Sequence, residues 1–110
     1  MKRRVVITGP AKRDAFANHE WWAENRSAEQ AIRWLKGIYA KMWSLADTAE
    51  RHSRATEPSL RRNDIRQASF GLSSKPTHRI LYRIEREVVV VYRVQAFAQD
   101  AIDWDDLTDD

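Results

Sequence analysis

The sequence predicts an α+β fold: an N-terminal strand, an antiparallel helical hairpin, then three antiparallel strands, in one sheet with the helices on one face. Three observations lead there. Apolar residues recur every three or four positions from Ala11 to about Glu50, interrupted once near Arg26-Ser27. Residues 78–84 and 88–94 read HRILYRI and VVVVYRV, two β-branched and aromatic runs separated only by Glu85-Arg86-Glu87. The two kinds of pattern are also segregated along the chain, most of the strands following the helices, which is the α+β solution.

Residues 3–8, Arg-Arg-Val-Val-Ile-Thr, form a short β-branched run ended by Gly9-Pro10 and read as the first strand. Pro10 suits a helix start, where its missing N–H would have had no partner. Ala15, Phe16, His19, Trp22 and Ala23 then mark the apolar side of a first helix reaching about Asn25. Ser27-Ala28-Glu29-Gln30 is a capping-box pattern. Behind it Ala28, Ala31, Ile32, Leu35, Ile38, Tyr39, Met42 and Leu45 form the stripe of a second helix, ending near Glu50. Trp22, Trp34 and Trp43 lie in this hairpin, and at least one of them is expected in the core. Residues 51–64 lack periodicity, contain Pro58 and read as one long loop. Residues 65–70 form a second strand, and Glu85-Arg86-Glu87 closes a tight hairpin between the last two. On the third strand Ile80, Tyr82 and Ile84 oppose Arg79, Leu81 and Arg83; on the fourth, Val88, Val90, Tyr92 and Val94 oppose Val89, Val91, Arg93 and Gln95.

At 110 residues the chain is a single domain, and an apolar fraction of 43% with five tryptophans suffices for a core. Without cysteine it holds neither disulfide nor thiolate metal site, which fits the cytoplasm. No histidine pair has metal-ligand spacing. The apolar part of the N-terminus is four residues, Val5-Val6-Ile7-Thr8, too short for a signal peptide or a membrane helix. Charge is uneven. Six of the sixteen acids fall in residues 100–110, so positions 1–99 carry nineteen bases against ten acids, a net +9. A basic body of that kind attracts phosphate backbones or an acidic protein. The acidic tail is either a solubilising end or a segment that folds back over the basic surface.

Strand, helical hairpin and three strands is an order that resembles the RelE/ParE superfamily, the toxins of bacterial type II toxin–antitoxin pairs. The resemblance rests on Ile65-Arg66-Gln67 and Phe70-Gly71-Leu72 bounding the second strand, and on Pro76-Thr77-His78-Arg79-Ile80-Leu81-Tyr82. It extends to the valine-rich strand ending in Arg93-Val94, to Ala98-Gln99-Asp100 and Asp105-Asp106-Leu107, and to Trp21-Trp22-Ala23-Glu24-Asn25-Arg26-Ser27. It implies an antitoxin protein as partner and the ribosome with its messenger RNA, or DNA gyrase, as target, with no membrane, metal or cofactor involved.

Superfamily members of the RelE type cut messenger RNA in the ribosome through attack of the ribose 2′-oxygen on the adjacent phosphate. That chemistry needs cations against the phosphorane charge and groups that move protons. Carried over by position, Arg66 matches the second-strand base and Arg79 the third-strand arginine, both expected on the sheet face away from the helices. Arg83 and Trp104 complete the expected catalytic set, Trp104 falling near the usual C-terminal tyrosine. Lys75, His78, Arg93 and Gln99 are the expected RNA or partner contacts. Two positions that are usually basic hold Gln95 and Ala96, and a tryptophan can stack but cannot shuttle a proton. The first expectation is therefore a translation-blocking ribonuclease in which Arg79→Ala relieves toxicity without lowering the melting temperature. The alternatives are a ParE-like inhibitor of DNA gyrase without chemistry of its own, and a degenerate toxin that keeps only its antitoxin interface.

Overall fold

Across the sheet the strand Arg4–Ile7 lies at one edge, followed by Val88–Ala96, His78–Glu85 and Arg66–Phe70, and the first strand of the chain joins the last in parallel. These elements come from a computed structural model that describes residues 2–97 and 102–108. Their order is β1 (Arg4–Ile7), α1 (Gly9–Asn25), α2 (Ala28–Thr48), a 3-10 turn (Ala49–Arg51), α3 (Pro58–Arg62), β2 (Arg66–Phe70), β3 (His78–Glu85), β4 (Val88–Ala96) and α4 (Trp104–Thr108). β1 pairs with β4 from Arg4↔Val88 to Ile7↔Val91, while β2–β3 and β3–β4 are antiparallel. Thr8 caps α1, its Oγ1 accepting from the Ala11 N–H at 3.4 Å and donating to the Val91 carbonyl at 2.8 Å. Ser27 Oγ caps α2 through the Gln30 N–H at 3.1 Å. No helix of the described residues is long and apolar enough to cross a membrane.

Both sheet faces are covered. The first carries Ala68, Ile80, Tyr82, Val89, Val91 and Val94 against Ala11 and Ala15 of α1 and Trp34, Ile38, Met42 and Leu45 of α2. Fully burying side chains of this size is worth about 1.5–3 kcal/mol each. On the second face Leu81 meets Ala55, Leu60, Ile65 and Leu107, with Tyr92, Ile102 and Trp104 packed around them. The cover there is made by the segment between α2 and β2 together with residues 102–107. The described part of the acidic tail thus folds back onto the sheet; residues 98–101, 109 and 110 lie outside the described residues.

Several sequence expectations need correcting. The alternation on β4 is broken by a bulge: Leu81 pairs with Arg93 but Tyr82 with Val91, leaving Tyr92 extra. Val94 therefore shares the helical face with Val89 and Val91, not with Val88 and Val90. In α2 the buried stripe is centred on Trp34, fully buried, while Ile32 is 48% exposed and Ala28 is also exposed. Phe16 and Ala23, expected to face the core, are exposed on α1. The expected long loop starts on the last residue of the 3-10 turn and contains α3, and it pairs with the sheet through Ala55 N–H to Ile65 O (2.8 Å) and Gln67 N–H to Ser53 O (3.0 Å). The β3–β4 turn is tight as expected, with Arg86 in the left-handed region at φ 61°.

Candidate functional site

Arg79 and Arg83 of β3 project on the second sheet face, Arg93 of β4 turns toward α1, and a carboxylate meets each of these three arginines. Arg79 projects from β3 between Gln67 of β2 and Gln95 of β4. Its Nε and Nη2 donate to Gln95 Oε1 at 3.0 and 2.6 Å, and its Nη1 donates to Gln67 Oε1 at 2.9 Å. Nη1 also reaches Glu57 Oε1 at 2.9 Å and Nη2 reaches Glu57 Oε2, a bidentate fork. All five guanidinium hydrogens are thus committed. The two side chains are 9% and 13% exposed. The Arg79 hydrogen bond holds Glu57 below the usual carboxylate range; burial opposes this, and the N–H groups of Glu57 itself and of Ile102 reinforce it.

Arg83, four residues further along β3, donates to Glu85 Oε2 from Nε (3.2 Å) and Nη2 (3.0 Å). Its guanidinium lies 4.9 Å from the Trp104 ring centre and 5.9 Å from that of Tyr92. The Tyr92 hydroxyl donates to the same Glu85 oxygen at 2.9 Å. That bond, followed by the Arg83 contact, lowers the Glu85 pKa, while burial and then Glu85 raise that of Tyr92. Trp104 is positioned from its backbone, whose N–H donates to Ser59 Oγ at 3.0 Å. Arg93 turns to α1, where its Nε and Nη2 reach Asp14 at 2.6 and 3.0 Å. Asp14 Oδ2 also accepts the Val94 N–H at 2.9 Å, and the Asp14 bond raises the Arg93 pKa.

Arg66 does not join this group. Its cross-strand partner is Tyr82, a residue of the helical face, so Arg66 points to the side opposite Arg79, against expectation. Its Nη1 donates to the carbonyls of His52 (2.6 Å) and Glu50 (3.5 Å), tying down the end of the 3-10 turn. His78, expected as a binding residue, is buried beneath α1. Its Nε2 donates to Asn18 Oδ1 at 2.9 Å and its Nδ1 accepts from the Thr77 hydroxyl at 2.8 Å, a neutral-ring arrangement that matches a pKa lowered by burial. Lys75 stands exposed in the β2–β3 connection, and Gln99 lies outside the described residues.

The structure therefore brings Arg79, Arg83 and Trp104 onto one face, turns Arg93 aside to Asp14 and sends Arg66 to the other face. Sequence reasoning missed Glu57, Gln67 and Asp14. Glu57 carries no local signal in an aperiodic loop. Gln67 was missed because Arg66 was expected on the face of Arg79, and alternation then turns residue 67 toward the helices.

A family model described as the ParE toxin of type II toxin–antitoxin system, parDE, matches residues 5–100. Among solved structures, a chain of the chromosomal ParDE toxin–antitoxin system from P. aeruginosa superposes with a TM-score of 0.70 at 13% identity, over 86% of this chain and 96% of that one. A chain of the RelBE2 toxin–antitoxin complex from Mycobacterium tuberculosis gives 0.61 at 22% identity, over 87% and 99%. A sequence search of curated proteins finds no match. The fold is that of the RelE/ParE toxins. Within them, the chain belongs to the ParE toxin family of type II toxin–antitoxin systems.

Proposed function

We propose that this toxin acts in the cytoplasm by gripping a protein, DNA gyrase in the reading that the resemblance supplies, and not by cutting messenger RNA. The observation that carries this reading is the pairing of each arginine of β3 and β4 with a carboxylate of the same chain: Arg79 with Glu57, Arg83 with Glu85, Arg93 with Asp14. A cation stabilises a phosphorane only if it is aimed at the developing charge without first giving up a partner. Arg66, the other expected catalytic base, is on the wrong face to help. Gln95 and Ala96 supply no charge where the superfamily is usually basic. What stays exposed is suited to protein contact, including Trp21, Trp43 and Phe97.

Its regulator in this reading is a cognate antitoxin with an acidic segment, drawn by the +9 body. Two similar structures come from toxin–antitoxin systems, which supports that partner. Pulse-labelling after induction without antitoxin tests the mechanism. Thymidine incorporation should fall before methionine incorporation. Methionine falling first would restore the ribonuclease reading, and neither falling while folded protein accumulates would leave a toxin fold without a target.

A further inference from the structure

We propose that Arg79, Gln67 and Gln95 form a carboxylate-binding site that Glu57 fills from within the chain, and that an acidic side chain of the protein partner fills it by displacing Glu57. The inference rests on the reading above only in taking the partner to be an acidic protein.

The site is built around its ligand. Gln95 takes Nε and one Nη2 hydrogen, and Gln67 takes one Nη1 hydrogen. These two glutamines come from the strands on either side of Arg79 and fix the plane of the guanidinium. The two hydrogens left are one on Nη1 and one on Nη2, both met by Glu57. That pair matches the two oxygens of one carboxylate. Neutral acceptors orient the cation without cancelling its charge, so the full attraction is reserved for whatever meets the fork. The strands supply everything except the anion.

Glu57 itself arrives on a short element. It immediately precedes α3, five residues long, and its carboxylate reaches the sheet across 22 residues of sequence. The Ile102 N–H also points at that carboxylate, and the Trp104 N–H rests on Ser59 Oγ in α3. Leu107 packs with Leu60 of α3 in the same apolar group. The α3 segment and residues 102–107 therefore rest on one another, and lifting Glu57 from Arg79 frees both together. A carboxylate from outside would replace Glu57 group for group, so the exchange leaves Arg79 paired at both ends of the reaction. Its net cost is then confined to the apolar contacts of the cover, which an amphipathic acidic segment can remake. A phosphodiester, with tetrahedral oxygens and bulky substituents on both sides, fits less well in a slot sized by one glutamate.

Octaglutamate labelled at its N-terminus serves as the probe, read by fluorescence anisotropy with the full chain at low salt. Glu57→Ala should bind it at least about tenfold more tightly than the parent protein, and Glu57→Ala/Arg79→Gln should lose that gain. Equal binding by the parent and Glu57→Ala, or a gain that survives Arg79→Gln, overturns the site. A gain for an octauridylate in place of the peptide overturns the carboxylate assignment. The parent protein gives an independent reading that needs no variant. Saturating octaglutamate should accelerate hydrogen exchange at the Ile102 and Trp104 amides, and unchanged exchange under saturation overturns the displacement. None of these readings depends on which cellular process the toxin stops, so the labelling experiment and this one fail separately.

Discussion

Arg79→Ala distinguishes a surface arginine from a buried, paired one. Had Arg79 been a solvated residue on an open sheet face, its removal would alter toxicity and leave stability alone. In the structure the deletion strands Glu57, 13% exposed, without its cation, and leaves the acceptor oxygens of Gln67 and Gln95 without the donors they face. Breaking a buried ion pair from one side costs about 3–5 kcal/mol. The Glu57 segment can swing outward and rehydrate, which places the loss near the lower end, about 3 kcal/mol. For a chain of this length each kcal/mol moves the melting temperature by about 4 °C, so the expected drop is about 12 °C. Thermal unfolding followed by circular dichroism measures it, with Arg83→Ala as the reference. Arg83 and Glu85 are more exposed, and their pair should be worth about 1 kcal/mol at most. Glu57→Leu/Arg79→Met should recover part of the loss, because a well-packed apolar pair can replace a buried ion pair while Gln67 and Gln95 still lack the donor they face. A melting temperature for Arg79→Ala within about 2 °C of the parent, as ordinary surface substitutions give, would refute the buried-pair argument.

Four further outcomes follow from the same structure. Gly37→Ala should lower stability although alanine favours helix by about 1 kcal/mol: its Cβ would stand 2.5 Å from Phe70 Cζ, and such overpacking costs about 1–3 kcal/mol, so the melting temperature should fall and recover in part with Phe70→Leu. Asp14→Ala should cost about 2 kcal/mol by urea unfolding, since it strips Arg93 and leaves the Val94 N–H without its acceptor, and Asp14→Asn should retain part of this. Stability should fall in acid. Glu57, Glu85, His52 and His78 all have lowered pKa values in the fold, so their contributions are present above the unfolded-state values and are lost as pH falls, the histidines first below about 6.5 and the carboxylates below about 4.5. Tyr82 acts in the opposite sense: burial raises its pKa from 10.0 to about 12, so its contribution is lost as pH climbs through that interval, and Tyr82→Phe should flatten the alkaline limb of a melting-temperature profile.

The strands and the two long helices were legible because their signals are local, while α3 and α4 are too short to show a period. The Ser27 cap, Gly9-Pro10 and the two β-branched runs each announce themselves within a few residues, and the strands and helices follow to within one or two positions. Helix faces were read less well where two apolar stripes run side by side. Ile32 and Trp34 are both hydrophobic, and the position of the sheet, which sets Phe70 against Gly37 and brings Phe70 and His78 to 6.3 and 5.0 Å from Trp34, decides which one is inside. The bulge at Tyr92 was not visible because VVVVYRV alternates equally well in either phase. The fork on Arg79 was the least legible feature, since it joins residues 57, 67, 79 and 95 from four segments.

Gln95 and Glu57 are physically coupled through Arg79. Arg79 and residue 95 are direct cross-strand partners, so a lysine or arginine at 95 would set two cations side by side on one face. Like charges in that relation repel, and the more so away from bulk water. Such a site stays open and hydrated, ready for a polyanion that neutralises both. Replacing the second cation by glutamine turns repulsion into two hydrogen bonds and leaves one net charge, which a single carboxylate can cancel. Glu57 does so, and only once it is cancelled does burial beneath α3 and residues 102–107 become tolerable, because an unpaired guanidinium under that cover would cost several kcal/mol. The apolar group around Leu81 and the ion pair thus depend on each other: the leucines exclude the water that would weaken the pair, and the pair permits the leucines to close. On this argument the glutamine at 95 is what allows this face of the sheet to become part of the protein's interior.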